Sequence, residues 1–79
     1  METNYIEINY NGQKTRILKY LSESNTQFDK RIEFIKKLEK QQVNYKEAIR
    51  LSKIWYCIKY RQCKYLPNIY QTIMFYDKI

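Results

Sequence analysis

The sequence predicts an α+β fold, an N-terminal β-hairpin followed by a mostly α-helical body of three helices, in one small domain spanning residues 1–79. Three observations carry this. Apolar residues alternate through Tyr5-Ile6-Glu7-Ile8-Asn9-Tyr10 and run into Asn11-Gly12, the dipeptide that best accepts the positive φ angles of a two-residue type I′ turn. From Phe28 onward the apolar period switches to steps of three and four, the spacing of a helix. The single proline, Pro67, opens a last apolar-periodic segment, where its missing N–H would go unpaired anyway.

The hairpin is assigned to residues 1–21. A turn at Asn11-Gly12 sets Ile6 against Ile17, Ile8 against Thr15 and Glu7 against Arg16, leaving one apolar face and one face with a charge pair. Ile17, Leu18 and Leu21 also fit helical spacing, so the second strand either ends early or turns into a helix near Leu18. A lone hairpin is marginal in water and must pack on the helices or pair across subunits, which leaves a homo-oligomer open. Lys14, Arg16 and Lys19 on the second strand discourage open-ended edge pairing.

Ser22-Glu23-Ser24-Asn25-Thr26 is a polar connector rich in helix N-caps. A first helix is expected over 26–41, with Phe28, Ile32, Ile35 and Leu38 in one stripe and Lys30, Lys37 and Lys40 opposite. After the break at Gln42-Val43-Asn44, a second helix is expected over 44–64, capped by Asn44 with Glu47 in a capping-box-like position. Ala48, Leu51, Ile54, Trp55 and Ile58 form its core side, and Tyr45, Ile49, Tyr56, Tyr60 and Cys63 a third sector. The last helix is expected over 67–77, closing over the core with Ile69, Tyr70, Ile73, Met74 and Tyr76.

Charge is segregated along the chain. Residues 30–64 hold eleven Lys or Arg against Glu33, Glu39 and Glu47, a net +8, within a chain whose total is +7. At 100° per residue, Lys46, Arg50, Lys53, Arg61 and Lys64 fall within about 80° of one another on the second helix, interrupted only by Cys57. Tyr56 and Tyr60 border this stripe. Segregation of this kind suits a polyanion, because a merely soluble protein can scatter both signs.

Composition tempers that argument. Lys, Ile, Tyr, Asn and Phe supply about half the chain while Gly, Ala, Val and Pro occur once each, which points to an AT-rich genome such as that of a large DNA virus, a phage or a protist. Codon bias accounts for the amount of Lys and Tyr but not for its segregation. Glu2 stands where a secretory signal would be basic, and the longest apolar run, Ile54-Trp55-Tyr56-Cys57-Ile58, is far shorter than the ~20 residues of a membrane span. The expectation is an intracellular protein of cytoplasm, nucleus or virion, not secreted and with no membrane span.

Catalysis is poorly supported. A chain of this size buries only about 60–65% of its surface, which leaves little room for a catalytic cleft. The sequence has no His, one Gly and only Asp29 and Asp77 as aspartates, so phosphate loops and most acid–base pairs have no material. Glu33, Glu39 and Glu47 read as helix-face partners of nearby cations. Cys57 and Cys63, six apart in the expected helix, would sit about 9 Å apart in rise and on different faces, too far for a bridge. With no His, they also supply too few soft ligands for zinc. No cofactor, metal or enzymatic activity is expected.

The segment Lys53-Ile54-Trp55-Tyr56 with Lys59 resembles the start of a homeodomain recognition helix. Where that family carries its adenine-reading Asn this chain has Ile58, the helix lengths differ, and homeodomains have no N-terminal hairpin. The resemblance contributes no site residue. A helix-turn-helix reader fits no better, since base edges are read mostly by Asn, Gln and Arg, whereas Lys suits phosphates. The expected function is therefore non-enzymatic binding of a DNA or RNA backbone through Lys46, Arg50, Lys53, Tyr56, Tyr60, Arg61 and Lys64. The alternative is a protein-interaction module, a viral accessory or inhibitor factor or a small subunit of a larger assembly, that offers the same surface to an anionic protein partner. A solvated Lys-rich face and weak attachment to a membrane surface are the remaining alternatives.

Overall fold

A computed structural model describes residues 4–79 as β1 (Tyr5–Tyr10), β2 (Gln13–Leu18), α1 (Asn25–Lys40), α2 (Tyr45–Tyr60) and α3 (Pro67–Lys78). Residues 1–3 of the expected hairpin range, Glu2 among them, lie outside the described residues. The fold class is α+β, as the sequence predicts.

β1 and β2 pair antiparallel in the expected register, with Ile6 opposite Ile17, Glu7 opposite Arg16 and Ile8 opposite Thr15. Asn11 and Gly12 take φ of 53° and 84°, the left-handed pair a type I′ turn requires. No helix begins at Leu18. The Lys19 N–H instead extends the ladder to the Asn4 carbonyl, and the chain then folds into a tight turn closed by Glu23 N–H on Tyr20 O.

The hairpin packs on the helices rather than standing alone. At its turn, Asn11 N–H donates to Glu39 Oε2 at 2.7 Å and Tyr10 Oη donates to the Val43 carbonyl. At its open end, Arg31 Nη2 donates to the Leu18 carbonyl. It therefore lies along α1, with Ile8, Tyr10 and Ile17 buried. Glu39, expected to pair with a cation on its own helix, is used here instead.

Ser24 caps α1 in a full capping box, its Oγ accepting from Gln27 N–H and Gln27 Oε1 accepting from Ser24 N–H. The other end closes in a Schellman arrangement. Gln42 sits at φ 63°, its N–H on the Glu39 carbonyl and the Val43 N–H on that of Leu38. Phe28, Ile32, Ile35 and Leu38 are buried as expected, together with Arg31 and Phe34. The wider buried arc has a cause: α1 packs chiefly on α2 and also on α3, and hydrogen bonds tie the hairpin to it as well.

α2 is capped by Asn44, whose Oδ1 accepts from Glu47 N–H at 2.9 Å. Glu47 does not complete a capping box, because its carboxylate turns to Arg50 instead. Ala48, Leu51, Ile54 and Trp55 are buried as expected, joined by Tyr56 and by Ser52, whose hydroxyl is satisfied by the Ile49 carbonyl. Ile58 is only half-buried.

α2 ends at Tyr60, four residues short of the expected Lys64. Gln62 adopts φ 54°, and the Arg61 and Cys63 N–H groups both return to the Cys57 carbonyl. A left-handed glutamine is uncommon and is not visible in the sequence as a stop signal.

α3 is held chiefly by Ile73 and by Asp77. The Trp55 indole N–H donates to Asp77 Oδ1 at 2.9 Å, Lys59 Nζ sits 3.2 Å from Oδ2, and Lys37 Nζ donates to the Asp77 carbonyl. Trp55 is stacked on Phe34 with ring centroids 5.1 Å apart, so one aspartate ties α3 to both other helices. Tyr70, expected to face the core, points outward, as do Leu66, Phe75 and Ile79. Among the described residues no helix is long and apolar enough to cross a membrane.

Candidate nucleic-acid interface

The cationic face begins at the N-terminal end of α2. Lys46, Arg50 and Lys53 recur at steps of four and three on its exposed side. Arg50 is not free. Its guanidinium binds Glu47 in an exposed ion pair, which holds the Glu47 carboxyl below its ordinary range and raises the Arg50 guanidinium, both chiefly through that hydrogen bond. An exposed pair of this kind is weak and screened by salt. Lys46 and Lys53 carry no such partner among the described residues.

Arg61 and Lys64 do not extend the helical stripe, because α2 has already ended. Arg61 is the helix C-cap and Lys64 lies in the exposed connector that leads to α3. The bend nevertheless brings Arg61 to the same cleft as Lys53. This cleft, about 290 Å³ in volume, opens between the β2–α1 loop and the C-terminal half of α2. Tyr20, Tyr56 and Cys57 line it, with Leu21 and Ser22 on the loop side and Lys53 and Arg61 on the helix side.

Two of the sequence-predicted aromatics are structural. Tyr56 is 3% exposed, in edge contact with Tyr20 at 5.0 Å, and its hydroxyl lies 3.3 Å from Ser22 Oγ. It contributes part of the cleft floor but presents no open ring face to a base. Tyr60 is half-buried and meets the Trp55 ring edge-on at 5.8 Å. Tyr20, Leu21 and Ser22 are the residues that sequence reasoning missed. Only the close approach of a distant loop to α2 makes them part of the site.

The loop side is rigid for a reason that the sequence hides within its polar connector. Glu23 and Arg31 form a bidentate ion pair at 2.8 and 3.0 Å, with side chains 0% and 3% exposed. Glu23 Oε1 also accepts from Tyr20 N–H, and the Arg31 guanidinium lies 4.0 Å above the Tyr20 ring. Both carboxylate oxygens of Glu23 and the Nε and Nη2 of Arg31 are bonded locally, and among the described residues no buried side-chain polar atom lacks a partner. Arg31 thus belongs to the interior, although it counts toward the basic segment of the sequence.

Both cysteines are free, as expected, with Cys57 half-buried and Cys63 exposed, but Cys63 is not on the helix. With the helix ended at Tyr60, Cys63 folds back so that its thiol meets that of Cys57. Its pKa is raised above the ordinary thiol value by desolvation first and by this contact second. The Tyr65 hydroxyl is raised in the same way, by desolvation and by the Cys57 thiol. Protonated thiols are weak nucleophiles and weak metal ligands. Among the described residues no group of three or more Cys, Asp or Glu is placed to hold a metal ion.

No protein-family profile matches the chain, and no curated protein or solved structure shows significant similarity to it.

Proposed function

We propose that this protein is a small non-enzymatic binder of nucleic acid, holding phosphates on the exposed cations of α2 and of the connector behind it. The observation that carries this reading is which cations are already spoken for. Arg16, Arg31, Arg50 and Lys59 each meet a carboxylate, whereas nine exposed cations enter no ion pair among the described residues. Of these, Lys46, Lys53, Arg61 and Lys64 are the ones that lie along α2 and the connector behind it, the others being Lys14, Lys30, Lys36, Lys40 and Lys78. Unpaired cations on a firm surface are the groups that gain most from displacing counterions off a phosphate chain. Lys dominates the set, which favours contact with the backbone over reading of base edges.

The test is fluorescence anisotropy with a labelled random duplex and a labelled single strand at low salt. Lys46→Glu combined with Lys53→Glu lowers affinity on the order of 100-fold with an unchanged circular dichroism spectrum. Undiminished binding in that variant sinks the reading.

A second reading, a protein-interaction module, is favoured by a different face from the one the sequence suggested. Leu66 and Phe75 are 66% and 63% exposed, and Tyr70 and Ile79 are also exposed, so α3 and its two ends present large apolar side chains to solvent among Asn68, Gln71, Thr72 and Lys78. A partner that survives nuclease treatment and is lost on Phe75→Lys supports that reading. A partner lost with the nucleic acid alone opposes it.

A further inference from the structure

We infer that the cleft between the β2–α1 loop and α2 receives one unstacked base of a single-stranded nucleic acid, with the neighbouring phosphates on Lys53 and Arg61. The inference rests on the nucleic-acid reading above and goes beyond it, because it assigns a base-binding site and a strand preference.

Size limits the occupant. About 290 Å³ lies at the lower end of small-ligand sites, enough for one ring system. A duplex, whose bases are stacked inside it, offers nothing that enters such a space. The chemistry of the walls selects further. Leu21, the Tyr20 and Tyr56 rings and Cys57 make the interior mostly apolar, while both cations that line it are unpaired. An apolar slot beside two positive charges complements a planar, weakly polar ring attached to an anionic chain. It complements neither a neutral hydrocarbon nor a bare phosphate.

The slot is also formed before any ligand arrives. Tyr20 is held by the Arg31 guanidinium on its face and by Tyr56 at its edge, and Arg31 is in turn locked by Glu23. A site of this kind loses little entropy on binding. The Ser22 and Tyr56 hydroxyls, 3.3 Å apart at its edge, add polar atoms able to turn toward a base. Leu21 is fully exposed, so its side chain can be changed without touching the core.

The experiment compares three labelled probes on the same protein: oligothymidylate, a strand of equal length with abasic sites in place of bases, and a duplex of equal length. Oligothymidylate binds on the order of tenfold more tightly than the abasic strand, which carries the same phosphates but nothing for the slot. Leu21→Ser removes most of that difference and leaves duplex binding within about twofold, with an unchanged thermal melt. Equal affinity for the base-bearing and abasic strands, with duplex binding intact, overturns the base site and leaves the phosphate-binding reading standing. Failure of all three probes to bind overturns both. Tight binding of free thymidine monophosphate without binding of the strand assigns the slot to a mononucleotide and also overturns the inference.

Discussion

Arg31 joins three parts of the molecule through one guanidinium. It pairs with Glu23 in the loop, donates to the Leu18 carbonyl at the end of the hairpin and lies over the rings of Tyr20 and Phe28. Removing one partner of a buried pair leaves the other charge desolvated, typically at a cost of about 3–5 kcal/mol. Glu23→Leu alone therefore lowers the urea midpoint sharply. Glu23→Leu with Arg31→Met recovers much of the loss, because no unpaired charge is left behind; equal losses in the single and double variants would count against this account. Two tyrosines set a different sensitivity. Burial holds the Tyr10 and Tyr20 hydroxyls above their ordinary 10.0, with the Glu39 charge adding to the effect at Tyr10. The folded state then keeps these protons more tightly than the unfolded one. Their contribution is complete below pH ~10 and falls as the pH rises toward the higher folded values. Urea midpoints at about pH 8 and 11 measure the drop, and Tyr10→Phe with Tyr20→Phe makes it smaller, separating it from the titration of the lysines.

At the scale of elements, the helix ends carry the most information. The starts were legible: Ser24 and Asn44 are good N-caps, and Pro67 sits where a helix prefers it. The hairpin register was legible as well, because Asn11-Gly12 fixes which residues face each other. The stops were not, since both α1 and α2 end on a glutamine in the left-handed region where glycine is the usual signal. The helical wheel consequently carried Arg61 and Lys64 past the true end of α2. These two positions also mark where stability can be gained. Gln42→Gly and Gln62→Gly relieve the left-handed strain, at some cost in unfolded-state entropy, for a net gain of about 0.5–1 kcal/mol each. Scanning calorimetry should show both melting temperatures raised; a fall would mean that the glutamine side chains stabilise the caps.

The whole molecule is a cationic body whose positive charges are unevenly committed. The basic segment of the sequence suggested five stripe cations acting together. With Arg50 paired to Glu47, four remain unpaired, two on α2 and two behind it. The slope of log affinity against log salt on duplex DNA should then be roughly −3 to −4, less steep than five free cations would give. A slope near zero in the same anisotropy titration would mean that binding, if present, does not run through phosphates. Residues 65–79, whose one Asp and one Lys cancel, expose Leu66, Tyr70, Phe75 and Ile79, while Leu18 and Leu21 are exposed near the hairpin end, Leu21 beside the cations Lys53 and Arg61.

Periodicity and turn chemistry are local, repeated over many residues, and survive any tertiary arrangement, so the sequence by itself determined the α+β class, the order of elements, the strand register and the core stripe of α1. The tertiary structure alone decided which polar residues were spent inside. Glu23 reads as part of a polar connector and Arg31 as part of a basic run, yet each is buried because the other arrives from a separate element. The same holds for the cleft. Lys53 and Arg61 were legible as cations and Tyr56 as an aromatic, but Tyr20, Leu21 and Ser22 join them only because the loop after the hairpin folds onto α2. A site assembled across elements depends on distances between them, and spacing along one chain segment carries no record of those distances.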